Sequence, residues 1–176
     1  CPVSGLSPKE KVDAYSLVKT LNEHILDNPE FSNLPRKFNI MVSGCPDDCV
    51  HAETQDLALV SAISEKCDKP VYGFNILVGG KLGSGGYRIA TPLDVFLSPE
   101  EVVEVCSALI LLYRDHGSRD VRSKNRLAFL IEDWGEEKFR SALEERVGRS
   151  LTPAGIDLRG NAKSEHIGAY RQKQAL

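Results

Sequence analysis

Leu34-Pro35-Arg36-Lys37-Phe38-Asn39-Ile40-Met41-Val42-Ser43 decides the reading of this chain. Leu34-Pro35 opens an extended run, and from about Lys37 to Ser43 apolar Phe38, Ile40 and Val42 alternate with Lys37, Asn39, Met41 and Ser43. A strand has a side-chain period of two, so the two sets point to opposite faces. One face suits a core; the other carries a cation two residues from an amide.

Outward from this strand, Leu57 to Ala62, Phe74 to Val78 and a short Tyr87 to Ala90 are further strand candidates, separated by turn residues such as Gly79-Gly80 and Gly83-Ser84-Gly85-Gly86. Helices flank the cluster. Ser7-Pro8-Lys9-Glu10 has the form of a capping box, with Val12, Tyr15, Val18, Leu21 and Ile25 following at helical steps until Asn28-Pro29. Ser98-Pro99-Glu100-Glu101 is a second capping box, launching an apolar helix that ends at His116-Gly117. Leu127 to Trp134 and Phe139 to Val147 make two more, closed by Gly135 and Gly148. Beyond Leu151 periodicity is lost, and Pro153, Gly155 and Gly160 read as a linker. This order predicts an α+β domain, a mixed and mostly antiparallel sheet covered by helices.

The chain has 176 residues, enough for one domain with a sizeable core. A net charge of −3 argues against a nucleic-acid or anionic-membrane binder, which needs a basic excess. The longest apolar stretch, Val102 to Tyr113, is interrupted by Glu104 and Ser107 and is too short for a membrane span. Five cysteines, an odd number, do not form a secreted disulfide framework, so we expect a reducing compartment, cytoplasm or plastid stroma. The chain opens at Cys1 in a turn-like CPVSGLSP and stops in a polar segment at Leu176, so we expect a piece of a longer protein.

Three segments could carry chemistry. Lys37 beside Asn39 could clamp a small oxyanion, the ammonium attracting charge and the amide fixing orientation; the same spacing also suits a solvated strand face. Cys45-Pro46-Asp47-Asp48-Cys49 follows at once, and Pro46 suits a helical first turn that would set the sulfurs about one turn apart. Such a pair can give iron or zinc two ligands of the roughly four a closed site needs, or be two thiols without metal. Cys106 reads as core packing, Cys67 lies in a polar loop, and Cys1 is terminal. The glycine-rich stretch from Gly79 to Gly86 lacks the Walker order and reads as a hairpin, and the four histidines show no ligand spacing.

Taken together, Asn33-Leu-Pro-Arg-Lys-Phe-Asn-Ile40, Ser43-Gly-Cys-Pro-Asp-Asp-Cys-Val-His-Ala-Glu53, Gly73-Phe-Asn-Ile-Leu-Val-Gly-Gly80 and Thr91-Pro-Leu-Asp94 resemble the siroheme-binding repeat of the ferredoxin-dependent nitrite and sulfite reductase family. The stretch from His166 to Gln174 looks like the start of the family's next, ferredoxin-like segment. The resemblance implies a repeat domain over 1–150, with 151–176 as linker and start of that segment. It implies siroheme and a [4Fe–4S] cluster in the intact enzyme, electrons from ferredoxin or a similar donor, and the six-electron reduction of nitrite to ammonia or of sulfite to sulfide. The partners implied are the second repeat and the ferredoxin-like segments of the same polypeptide.

By that resemblance Lys37 and Asn39 line the substrate pocket, with Arg36 beside them as a structural or propionate contact, and Gln172 and Lys173 reach siroheme carboxylates. Sulfite reductases of the family tend to carry a second lysine where this chain has Asn39. Nitrite bears one negative charge and sulfite up to two, so Asn39 favours nitrite. The family's cluster ligands, a C-x5-C pair and a C-x3-C pair, belong to the second repeat. Cys45 and Cys49 match only the latter, and Ser7 stands where the partner of Cys1 would fall. They are therefore expected to be vestigial ligands, the fragment alone to bind neither cofactor, and the isolated chain to be inactive. The alternatives are an assimilatory sulfite reductase, a free-standing iron–sulfur carrier and a purely structural repeat.

Overall fold

The computed structural model describes residues 3–65, 70–83, 85–160 and 166–173. Among these described residues five strands form one sheet: β1 (Ile40–Ser43), β2 (Leu57–Ser64), β3 (Val71–Val78), β4 (Thr91–Leu97) and β5 (Ile156–Asp157). The order is β1-β2-β3-β4, with β1 parallel to β2 and the other pairs antiparallel. The edge of β2 away from β3 is shared. β1 pairs with Leu57 to Val60, and β5 takes over at Ala62 and Ile63. The expected α+β class and mostly antiparallel sheet are what the chain forms.

Among the described residues four α-helices cover one face: α1 (Ala14–Ile25), α2 (Val102–His116), α3 (Leu127–Trp134) and α4 (Glu136–Val147). Leu57, Leu59, Phe74, Ile76, Val95 and Leu97 meet Val105, Leu109, Leu127, Ile131, Phe139 and Leu143 in one cluster. Each fully buried side chain of this kind contributes about 1.5–3 kcal/mol of transfer free energy, so this face holds the helices to the sheet. On the other face Ala58, Val60 and Ala62 are fully buried, and Ala58 and Val60 cluster with Ala52, Leu77 and Ala90.

The stretch after Leu151 lies along the sheet. Phe96 donates its N–H to the Thr152 carbonyl at 2.8 Å, and the Asn75 side chain exchanges two 2.9 Å hydrogen bonds with the backbone of Gly155. A Cβ at Gly155 would run into the Ile63 carbonyl, so only glycine passes here.

Four local expectations are corrected. Helix α1 starts at Ala14, not after Ser7, because the Asp13 carboxylate caps it by accepting from Ser16 N at 3.1 Å. Glu10 instead turns back to accept from Ser4 Oγ and Gly5 N, each at 2.7 Å. Strand β1 begins at Ile40, so Lys37 and Asn39 stand on its lead-in. The Cys45–Cys49 segment is a run of turns rather than a helix, because Asp48 and His51 take positive φ values of 41° and 52°. Tyr87 to Ala90 holds only a single bridge, Lys81 to Arg88, and the strand lies further on at Thr91–Leu97. Pro92 and the positive φ of Asp94 disguise it, and an edge strand with an irregular register tolerates both. The Ser98 capping box forms as read, with Glu101 accepting from Ser98 N at 2.9 Å.

Candidate functional site

Along the lead-in to β1 the apolar residues meet the core as the two-residue period suggests. Phe38 and Ile40 pack on the core, whereas Lys37 is exposed and Asn39 half-buried. Arg36, next to them, is half-buried. The Asn39 backbone is held at both ends of its peptide unit: its carbonyl accepts from Leu57 N at 3.1 Å and its N–H donates to Asp56 Oδ2 at 3.0 Å. The Asp56 carboxylate has no exposed surface and also takes Nε and Nη2 of Arg126 at 2.8 and 2.7 Å. An exposed cation and an amide whose backbone is hydrogen-bonded on both sides can hold a small anion at the surface, with charge from one and direction from the other.

The second group lies beyond the other end of β1, which at about 3.3 Å per residue puts Gly44 roughly 16 Å along the chain from Asn39. Cys45 is buried and Cys49 half-buried. Burial, then the neighbouring Cys45, pushes the Cys49 thiol above its ordinary range and so keeps it protonated. No group of three or more His, Cys, Asp or Glu among the described residues could hold a metal ion. Cys1 and Cys67 lie outside the described residues. Among the described residues at this end of β1, Cys45 and Cys49 supply two thiols, against the roughly four thiolates of an iron–sulfur cluster.

Gln172 and Lys173 come to this same end. Lys173 N donates to the Leu6 carbonyl at 2.7 Å. Gln172 lines a cleft of about 240 Å³ with Leu6, Pro8, Lys9, Asp47 and Tyr170. The Lys9 ammonium pairs with Asp47 at 3.0 Å, which raises its pKa. The structure thus brings Arg36, Lys37 and Asn39 together at one end of β1. It gathers Cys45, Cys49, Gln172 and Lys173 towards the other.

Sequence reasoning missed Asp56 and Arg126. They are 70 residues apart and neither has a local pattern, so pairing them needs the fold. Among the described residues no helix is long and apolar enough to cross a membrane.

A two-layer α+β domain with an amide–cation pair at the mouth of one strand has close structural relatives. The solved structure of Mycobacterium tuberculosis NirA protein superposes with a TM-score of 0.90 at 33% identity, covering 98% of this chain and 31% of that one. The chain belongs to the family described as the nitrite and sulphite reductase 4Fe-4S domain, whose model matches residues 1–151. A protein named ferredoxin–nitrite reductase from Leptolyngbya laminosa is 40% identical over 98% of this chain and 34% of its own length. One named sulfite reductase [ferredoxin] 1 from Mycolicibacterium paratuberculosis is 36% identical over 99% and 31%. The chain therefore spans about a third of the length of the curated relatives it matches.

Proposed function

We propose that this chain is one repeat of a ferredoxin-dependent nitrite reductase that carries siroheme and a [4Fe–4S] cluster and reduces nitrite to ammonia. Residues 1–150 form the repeat, and 151–176 lead into a following ferredoxin-like segment. The partners are the second repeat and the ferredoxin-like segments of the same polypeptide, in the cytoplasm or plastid stroma. The observation that carries the reading is the exposed Lys37 beside the half-buried Asn39, on a lead-in whose apolar residues face the core.

In this reading Lys37 attracts the anion and holds a proton at Nζ close to the oxygen that will leave. Asn39 orients the anion without adding charge. Arg36 at one end of β1, and Lys173 with Gln172 towards the other, offer donors to the carboxylates of siroheme. Bound siroheme supplies the redox-active iron. Cys45 and Cys49 take no cluster role here, since two thiols fall short of a ligand set; the cluster belongs to the second repeat.

The test is Lys37→Ala in the intact polypeptide. Loss of a donor aimed at developing charge lowers kcat/KM for nitrite by about 10²–10³-fold. Near-normal turnover would leave the repeat a purely structural role. The rival substrate is sulfite, favoured by the likeness to the mycobacterial sulfite reductase.

A further inference from the structure

Lys37 and Asn39 have no regular secondary structure of their own, because β1 opens only at Ile40. What fixes them comes largely from the end of α2 and its connection to α3. Arg114 Nη1 donates to the Glu30 carbonyl at 3.1 Å and Arg119 Nη2 to the Asn33 carbonyl at 2.8 Å. Gly117 lets Pro35 approach, since a Cβ there would sit 2.8 Å from Pro35 Cγ. The Phe38 ring lies 5.5 Å from the fully buried Tyr113 ring, whose hydroxyl donates to the Asn125 carbonyl. The last hold is the Asn39 N–H on Asp56, with Arg126 behind it.

We propose that the Asp56–Arg126 ion pair is the positioning element of the Lys37/Asn39 clamp. The inference rests on reading that pair as the oxyanion site. A carboxylate next to an anion site would by itself repel the anion. Paired with Arg126 it gives the Asn39 N–H a strong acceptor while adding no net charge. Three donors on one carboxylate also leave Asp56 a single orientation, so the Asn39 backbone has one place to sit. A buried ion pair adds little net stability over an apolar replacement, which is why its worth here is geometric.

The experiment uses the intact, cofactor-loaded polypeptide with nitrite as the probe. The variants are Arg126→Lys, which keeps the charge and loses the two-pronged contact, and Asp56→Asn/Arg126→Gln, which removes both charges together. Lys37→Ala and Asn39→Ala serve as references. Nitrite affinity is read from the absorption spectrum, kcat and KM separately, and hydrogen exchange over residues 36–41, with thermal melting as the check on folding.

Misplacement of a positioned group by a fraction of an ångström to an ångström costs about ten- to a hundredfold. We therefore expect nitrite affinity to fall by about tenfold or more in both Asp56/Arg126 variants. Exchange over 36–41 quickens by a similar factor, while siroheme content holds. Wild-type affinity and wild-type exchange in folded variants, with Lys37→Ala still impaired, overturn the positioning role alone. Unchanged affinity in Lys37→Ala and Asn39→Ala overturns the oxyanion reading, and the proposal with it.

Discussion

Arg126 grips Asp56 with two nitrogens of its guanidinium, Nε at 2.8 Å from Oδ1 and Nη2 at 2.7 Å from Oδ2, and the carboxylate is sealed from solvent. A bond across 70 residues thereby ties the start of α3 to the lead-in of β1.

Removing one partner should be costly and removing both far less so. Arg126→Met strands a buried carboxylate, and its expected cost is about 3–5 kcal/mol. Asp56→Leu/Arg126→Met should recover all but the roughly 1–3 kcal/mol of an Asn39 N–H left without an acceptor. Urea midpoints of the chain and both variants measure this; equal losses would refute it.

Asp13 supplies a pH-dependent term. Its carboxyl is held below the usual range by hydrogen bonds from the Ser16 hydroxyl and backbone N–H. A lowered folded pKa means stability that is present above the ordinary carboxylate value and lost as pH falls through the lowered one. Asp13→Ala should cost about 1 kcal/mol at pH 7. Melting curves of wild type and Asp13→Ala should converge as pH falls through the lowered carboxyl value, whereas Asp13→Asn, which does not titrate, should match wild type near pH 7 and exceed it in acid.

Thiol reactivity should follow burial. Cys106 is fully enclosed in α2 and burial pushes it up to about 12. It should resist iodoacetamide at pH 8 until the chain unfolds. Cys49, half-buried and raised, should alkylate more slowly than an exposed thiol at the same pH. Mass spectrometry of the modified peptides decides both, and rapid labelling of Cys106 in the folded chain would contradict its packing.

Asn39 should set substrate preference. In the intact enzyme Asn39→Lys adds a cation beside Lys37, which favours the more highly charged sulfite. The ratio of kcat/KM for sulfite over nitrite is expected to rise by about tenfold, in keeping with about 1–3 kcal/mol for a changed charged contact. An unchanged ratio would remove Asn39 from selectivity.

Much of this was legible along the chain. Capping boxes, helical spacing and strand alternation act within a few residues, so the Ser98 cap, α2 to α4 and the cores of β2 and β3 could be read directly. Phe38 and Ile40 pack on the core as their alternation with Lys37 and Asn39 suggests, even though the strand itself starts later. The Ser7 box misled because the pattern permits a cap without enforcing one. Glu10 found partners in Ser4 and Gly5, and the Asp13 carboxylate took the cap by accepting from Ser16 N.

By itself the sequence determined the α+β class, the family and the spacing that sets Lys37 two residues from Asn39. Each of these depends on residue order and short-range spacing. The tertiary structure alone decided that Thr91–Leu97 is an edge strand and that residues 156–157 continue the sheet along β2. It also decided that Asp56 and Arg126 hold the Asn39 backbone. Those outcomes turn on which backbone groups lack a partner once the core has closed. Burial makes an unpaired donor or acceptor costly and selects its partner at any sequence distance.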